Sequence, residues 1–206
     1  MLAHINRAAS ERAASEGKIE EAQRLAALLR SNEERATLYA RLATKLAEKG
    51  DRKKALQLLE EAMRLVGGRA RKQEQIMAQM GIARAYAGVD PARSFEIIES
   101  VIDQTNDMIA AASVLNGFMS RGEFFRDGEL ILRPEFIQYA MYGGENYLRA
   151  LGKLARADFS RARSAADRFN HVEVRLLARL LLVEGALSND TQNEPDTTIG
   201  VLYGDM

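Results

Sequence analysis

The 206-residue chain contains no cysteine, no tryptophan and only three prolines. Without cysteine it can form neither a disulfide framework nor a thiolate metal site, and it lacks a cysteine nucleophile. Aromatic residues make up only 6% of the chain. Alanine, leucine, arginine, glutamate and glutamine dominate instead, and all of them are good helix formers. The composition therefore favours an all-α protein.

The chain also lacks a net charge, because 29 basic side chains balance 29 acidic ones. A neutral protein has no overall electrostatic excess to drive non-specific binding to phosphates, so nucleic acid is a disfavoured partner. The longest strongly apolar run, LLARLLLV at 176–183, contains Arg179. It is far shorter than the roughly 20 residues that cross a bilayer. We expect no membrane span.

Motifs for catalysis and for export are missing as well. There is no glycine-rich phosphate loop, no Gly-x-Ser-x-Gly elbow and no zinc signature, and the two histidines, His4 and His171, lie far apart. The N-terminus has no apolar core of signal-peptide length. We therefore expect a non-catalytic protein without cofactor or metal, located in the cytoplasm unless the chain is a fragment of a longer exported protein.

One stretch, residues 39–66, has the pattern of two amphipathic helices joined by a tight turn. Gly50 stands where a helix end favours a left-handed residue, and Asp51 is placed to cap the next helix. The first helix is predicted to bury Leu38, Tyr39, Leu42, Ala43 and Leu46. The second is predicted to bury Ala55, Leu56, Leu59, Ala62 and Met63, and to end at Gly67-Gly68. Neither helix can bury its stripe alone.

The same pattern returns elsewhere in the chain. Gly17, Ala22 and Leu25 precede Gly50, Ala55 and Leu58 by one constant interval. The interval from Asp51 to Asp90 is slightly longer, and an insertion around residues 66–70 accounts for the difference. The interval from Asp90 to Asp158 is twice the length of one repeat. A helical pair that repeats at about 34 residues predicts an α-solenoid of antiparallel helix pairs.

Residues 39–66 resemble the tetratricopeptide repeat family. Tyr39 and Leu46 take the two large positions of the first helix, Leu42-Ala43 matches the Leu-Gly pair, and Ala55, Leu59 and Ala62 fill the small–large–small pattern. Gly67 replaces the usual proline, and Ser94 and Val101 replace alanines in the Asp90 copy. The resemblance covers residues 17–105 and is weak beyond them.

The resemblance implies a protein-interaction scaffold whose concave groove receives a partner protein or peptide. First-helix side chains that face away from the neighbouring repeat would line such a groove. We expect these to be Arg35, Arg41 and Lys45, with Arg84 from the next repeat.

Within a repeat domain spanning residues 1–187, an irregular segment at 117–145 interrupts the pattern and holds six of the 13 aromatic residues. We predict an extended or hairpin-like piece around Asp127-Gly128 and a short helix from Pro134 to Tyr142. The segment is either a diverged repeat with its own small core or a contact surface using Phe124, Phe125, Tyr139 and Tyr142. The alternatives to a scaffold are a small-molecule or lipid pocket framed by the aromatics at 118–142, or an enzyme that uses the carboxylates of the same segment: Glu123, Asp127, Glu129 and Glu135.

The last predicted helix, at about 171–187, is apolar on two sides. One stripe contains Val172, Leu176, Leu180, Val183 and Leu187, and the other contains Val174, Leu177, Ala178 and Leu181. Arg175 and Arg179 separate the stripes along one edge and belong to a basic stretch that would suit an acidic partner. An earlier helix, another copy of the chain, or the apolar residues 199–203 of the tail could cover the second stripe. The remaining tail, 188–206, is acidic and predicted to be disordered.

Overall fold

The computed structural model describes residues 2–118, 125–126, 129–131 and 145–187, and these ranges form nine helices and one short strand pair. The predicted helical character is therefore confirmed. The predicted helix at 134–142 and the tail at 188–206 lie outside the described residues. The helices are α1 (Leu2–Ser15), α2 (Ile19–Ala27), α3 (Asn32–Glu48), α4 (Arg52–Val66), α5 (Gln73–Ala87), α6 (Pro91–Phe118), α7 (Glu145–Ala157), α8 (Phe159–Ala166) and α9 (Val172–Leu187). The strands are β1 (Phe125–Arg126) and β2 (Glu129–Leu130).

Helices that are adjacent in sequence pack as four pairs, namely α1 with α2, α3 with α4, α5 with α6, and α7 with α8. The first helices α1, α3, α5 and α7 also contact one another in that order. The second helix of each pair contacts the first helix of the next pair, and α9 packs chiefly on α7. One continuous apolar core therefore extends from Ala13 in α1 to Leu182 in α9.

The turns of the first two pairs have the same backbone structure. Gly17 and Gly50 adopt left-handed conformations, with φ of +76° and +85°, which L-residues with a Cβ rarely adopt. The amide of Asp51 donates to the Leu46 carbonyl at 2.9 Å, and the amide of Lys18 donates to the Ala13 carbonyl at the same distance. The two glycines, which are one constant interval apart in the sequence, therefore occupy equivalent positions in the turns of their helix pairs.

Three aspartates begin the second helices as N-caps. The side chains of Asp51, Asp90 and Asp158 each accept a hydrogen bond from the amide three residues later, at 3.1, 3.2 and 2.9 Å. Lys18 occupies the corresponding place in the first pair with nearly the same backbone angles as Asp51, but its side chain makes no capping bond. The predicted N-cap at Asp51 is confirmed.

The second helices bury the same face at the same distance from their N-caps. The residues four and eight positions after each cap are fully buried: Ala22, Ala26, Ala55, Leu59, Ser94, Ile98, Ala162 and Ala166. The predicted stripe in α4 is only partly buried. Leu56 and Met63 pack against the core but are half-buried. Leu58, which was not assigned to the stripe, is buried, because the packing face of α4 lies slightly to one side of the predicted stripe.

Two glutamines hold the connection between α4 and α5 at residues 67–72. The buried side chain of Gln79 donates to the Gly67 carbonyl at 2.7 Å. Gln104 accepts from the Ala70 amide at 2.6 Å and donates to the Gly68 carbonyl at 3.3 Å. The longer interval between the second and third pairs is therefore accommodated in a connection that side chains of α5 and α6 fix in place.

The predicted extended piece around Asp127-Gly128 is present as a two-residue antiparallel pairing. Phe125 pairs with Leu130, and Arg126 pairs with Glu129. Phe125 is buried, and its ring centroid lies 6.3 Å from that of His171. The strand pair is thereby placed beside the start of α9.

Candidate interaction surfaces

The first helices of three consecutive pairs line one open groove of about 510 Å³. The groove lies where α1, α3 and α5 run side by side. Its lining residues are Arg7, Glu11, Ser31, Glu33, Glu34, Thr37, Leu38, Gln73, Glu74, Met77 and Ala78. Leu38 and Ala78 are almost fully buried and form an apolar floor.

Ion pairs connect the helices across this groove. Arg7 of α1 lies 3.2 Å from Glu11 and 3.9 Å from Glu34 of α3, and Arg41 of α3 reaches back to Glu11 at 3.1 Å. Lys72, next to α5, lies 3.0 Å from Glu33. Hydrogen bonding from Lys72, together with the backbone and the Ser31 hydroxyl, lowers the pKa of Glu33. A carboxylate with a lowered pKa is charged at neutral pH and suits an ion pair rather than proton transfer.

The four basic residues predicted to line a groove have different surroundings in the structure. Arg41 lies at the edge of this groove, and Lys45 follows it by one turn on α3. Arg35 points elsewhere. It donates to the Asn32 side chain at 2.8 Å, and its Nε atom is buried without a hydrogen-bond partner among the described residues. Arg84 is half-buried and lies two turns beyond Met77 on α5.

Glutamates, not arginines, dominate the groove lining, and sequence reasoning missed them. Glu11, Glu33, Glu34 and Glu74 stand there with Arg7. The spacing of Glu33, Thr37 and Arg41 in the sequence could have identified this polar wall. Residues four apart share one helix face, and this face lies opposite the buried stripe of α3.

A second open groove of about 760 Å³ lies between the second helices α2 and α4. Its walls carry charges of both signs, including Lys18, Glu20, Glu21, Arg24, Lys54 and Glu61. Only two helix pairs contribute to this groove, whereas three contribute to the groove on the first helices.

The structure shows which of the two apolar stripes predicted on α9 faces the core. Ala178 and Leu181 are buried, and Val174 packs against the core. Leu177 is only half-buried, whereas Leu182, which was assigned to neither stripe, is buried. The other stripe faces outward, and its residues are exposed as follows: Val172 55%, Leu176 53%, Leu180 68%, Val183 45% and Leu187 77%. We call this row the outer stripe.

The two arginines predicted on α9 have different surroundings. Arg179 lies 2.7 Å from the Asp167 carboxylate, and its hydrogen bond lowers the pKa of Asp167. Arg175 is half-buried in the first turn of the helix. Both remain on the edge of α9 that the sequence assigned to them.

The aromatic segment is described only in part. Phe125 is buried, and Phe118 is exposed at the end of α6. Phe124, Tyr139 and Tyr142 lie outside the described residues, as do Glu123, Asp127 and Glu135. The ligand pocket and the carboxylate site suggested for this segment therefore stay predictions.

Within the described ranges, no three histidine, aspartate or glutamate side chains are grouped as metal ligands would be. None of the helices in this part of the chain combines the length and the apolar character that crossing a membrane requires.

Comparisons with known protein families, with curated proteins and with solved structures found no significant match to this chain.

Proposed function

We propose that the chain is an α-solenoid of tetratricopeptide-like helix pairs that acts as a non-catalytic scaffold and binds a segment of a partner protein in the first-helix groove. The observation that carries this proposal is that α1, α3 and α5, the first helices of three consecutive pairs, line one continuous open groove. A surface built from successive repeats is the kind that solenoid proteins use for binding.

The packing order supports the solenoid. Each first helix contacts the next first helix, and each second helix contacts the first helix of the following pair. The fully buried positions recur at the same distance from each N-cap. Such regular contacts mean that every pair covers the apolar face of its neighbour, so adding pairs extends the core and the groove together.

The lining indicates the chemistry of the partner. The apolar floor formed by Leu38 and Ala78, together with the half-buried Met77 beside it, suits one or two aliphatic side chains. Four glutamates and one arginine line the walls, with Arg41 and Lys72 at the margins. Because charge complementarity selects partners and raises association rates, a segment with apolar anchors and basic flanks fits this groove.

Thr37 offers a direct test, because it lines the groove and is only half-buried. Ligands would be selected from a random peptide library on the wild-type protein, and their affinities measured by calorimetry. Thr37→Arg would fill the groove and bring a positive charge toward the basic flanks of the ligand. We expect it to weaken binding at least about tenfold, which corresponds to about 1.4 kcal/mol.

Ser164→Arg is the matched control. The Ser164 hydroxyl donates to the carbonyl four residues earlier at 3.0 Å, as the Thr37 hydroxyl does at 2.9 Å, but Ser164 lies on α8, away from the groove. Ser164→Arg should leave the affinity unchanged. Equal losses in both variants, or selected peptides that lack basic and apolar residues, would contradict the proposal.

A further inference from the structure

The outer stripe of α9 forms a straight apolar ridge. Its residues follow one another at intervals of four, four, three and four, from Val172 to Leu187, so the ridge is about 22 Å long at 1.5 Å per residue. Single exposed apolar side chains are normal on protein surfaces, but five large ones in one row mark an interaction surface. This ridge lies on α9, whereas the first-helix groove lies on α1, α3 and α5.

The two edges of the ridge carry opposite charges. At 100° per residue, Arg175 and Arg179 lie along one edge, and Glu173 and Glu184 lie along the other. If two such helices lie parallel around a two-fold axis, the basic edge of one meets the acidic edge of the other on both sides. An antiparallel arrangement brings basic edge against basic edge. The ridge is therefore complementary to a second copy of itself in one orientation only.

We propose that the outer stripe of α9 is an interface between two copies of this chain, with the two α9 helices parallel and in register. Leu180 and Val183 then occupy the spacing of core positions in a coiled coil, and Arg179 stands five residues before Glu184 of the second copy, which is the spacing of interhelical ion pairs. Burial of the apolar stripe provides the affinity.

The charges determine orientation more than strength. Arg179 already pairs with Asp167 at 2.7 Å, and ion pairs at an exposed rim contribute little to affinity. The chain's own segment beyond Leu187 fits the ridge less well. Its charged residues are four acidic groups without a single lysine or arginine, so it complements the basic edge and not the acidic one.

Sedimentation velocity at several concentrations of the full chain tests the proposal. The wild type should show a reversible monomer–dimer equilibrium, and Leu180→Glu should be monomeric while retaining its helical circular dichroism. Leu28→Glu is the matched control, because Leu28 is 62% exposed, close to the 68% of Leu180, but follows α2. It should dimerise like the wild type. The proposal would be overturned if the wild type stayed monomeric up to about 0.5 mM, a concentration at which even weak dimers form. An equal loss of dimer in Leu180→Glu and Leu28→Glu would also overturn it.

The absence of cysteine allows the orientation to be tested by single-cysteine cross-linking. Leu176→Cys and Leu187→Cys place thiols about three helical turns apart on the ridge. In a parallel, in-register dimer each variant faces its own counterpart, so both should form disulfide-linked dimers on mild oxidation. Cross-linking of Leu180→Cys alone, with neither of the other two, would indicate an antiparallel dimer and would refute the proposed arrangement. Because these variants leave the first-helix groove unchanged, a negative result here does not affect the peptide-binding test.

Discussion

Gly152 of α7 and Gly185 of α9 touch through their backbones. A Cβ atom added to Gly152 would lie 2.8 Å from the Gly185 Cα atom, which is closer than the van der Waals radii of the two atoms allow. One turn later, the Arg156 guanidinium donates to the Gly185 carbonyl through Nε and Nη2, at 3.2 and 3.1 Å. The absence of a side chain at Gly152 therefore lets α9 pack closely enough on α7 for its inner stripe to be buried.

Gly152→Ala should destabilise the protein by about 1–3 kcal/mol, the range for forcing extra atoms into a packed interior. The atoms in the way belong to the backbone of α9 and cannot rotate aside. Urea unfolding followed by circular dichroism measures the change. Gly81→Ala is the control, because a Cβ atom there meets no atom of the described part of the chain within 4 Å. It should stabilise the protein by about 0.5–1 kcal/mol through helix propensity. The same sign for both variants would contradict the close crossing.

Lys18→Asn should stabilise the first helix pair by about 0.5–1 kcal/mol, because asparagine is a strong N-cap residue. Lys18 has nearly the cap geometry of Asp51 without a capping bond. The change gives up the exposed pair of Lys18 with Glu16, at 2.8 Å, and an exposed ion pair of this kind contributes little to stability. The reverse exchange, Asp51→Lys, should lower the stability by a similar amount. Thermal unfolding of both variants checks this, and a destabilised Lys18→Asn would show that the two caps are not equivalent.

Asn106→Ala should destabilise the C-terminal half of the described chain by about 2–4 kcal/mol, because two backbone groups would lose their partners. The buried Asn106 side chain donates to the Arg168 carbonyl at 2.8 Å and accepts from the Asn170 amide at 3.1 Å. It thereby ties α6 to the turn before α9. Hydrogen exchange should show faster exchange of the Asn170 amide in particular. Unchanged protection there would contradict this role.

Acid should weaken the connection between α3 and α5 through Glu33. Hydrogen bonding from Lys72 lowers the pKa of Glu33 below its ordinary value of 4.5. A carboxylate with a lowered folded-state pKa adds stability above its unfolded pKa, and that contribution is lost as the pH falls through the folded-state value. Glu33→Gln should therefore flatten the decline of urea midpoints below pH 4.5. Lys72→Met should flatten it similarly, whereas profiles parallel to the wild type would contradict the assignment.

Local features were predictable because they depend on residues close together in the chain. The helical pair at 39–66, the turn at Gly50 and the cap at Asp51 follow from spacing and backbone preferences alone. The strand pairing on either side of Asp127-Gly128 was predictable for the same reason. The register of α4 was predicted only in part, because the exact packing face depends on α3 and α5.

The candidate surfaces were less predictable. Periodicity identified both apolar stripes of α9 but could not show which one faces the core. The predicted groove residues included Arg41 at its margin and missed Glu11 and Glu74, since those lie on other helices and reach the groove only when the first helices pack side by side.

The sequence by itself determined that the chain forms helices, where several of them begin and turn, and which stripes are apolar, since these depend on contacts within one or two turns. Only the tertiary structure decided that Gly152 meets Gly185, that glutamates line the groove and that the outer stripe of α9 remains exposed. Those outcomes depend on how helices far apart in the chain dock against one another, and such docking is set by shape and burial that no local pattern encodes.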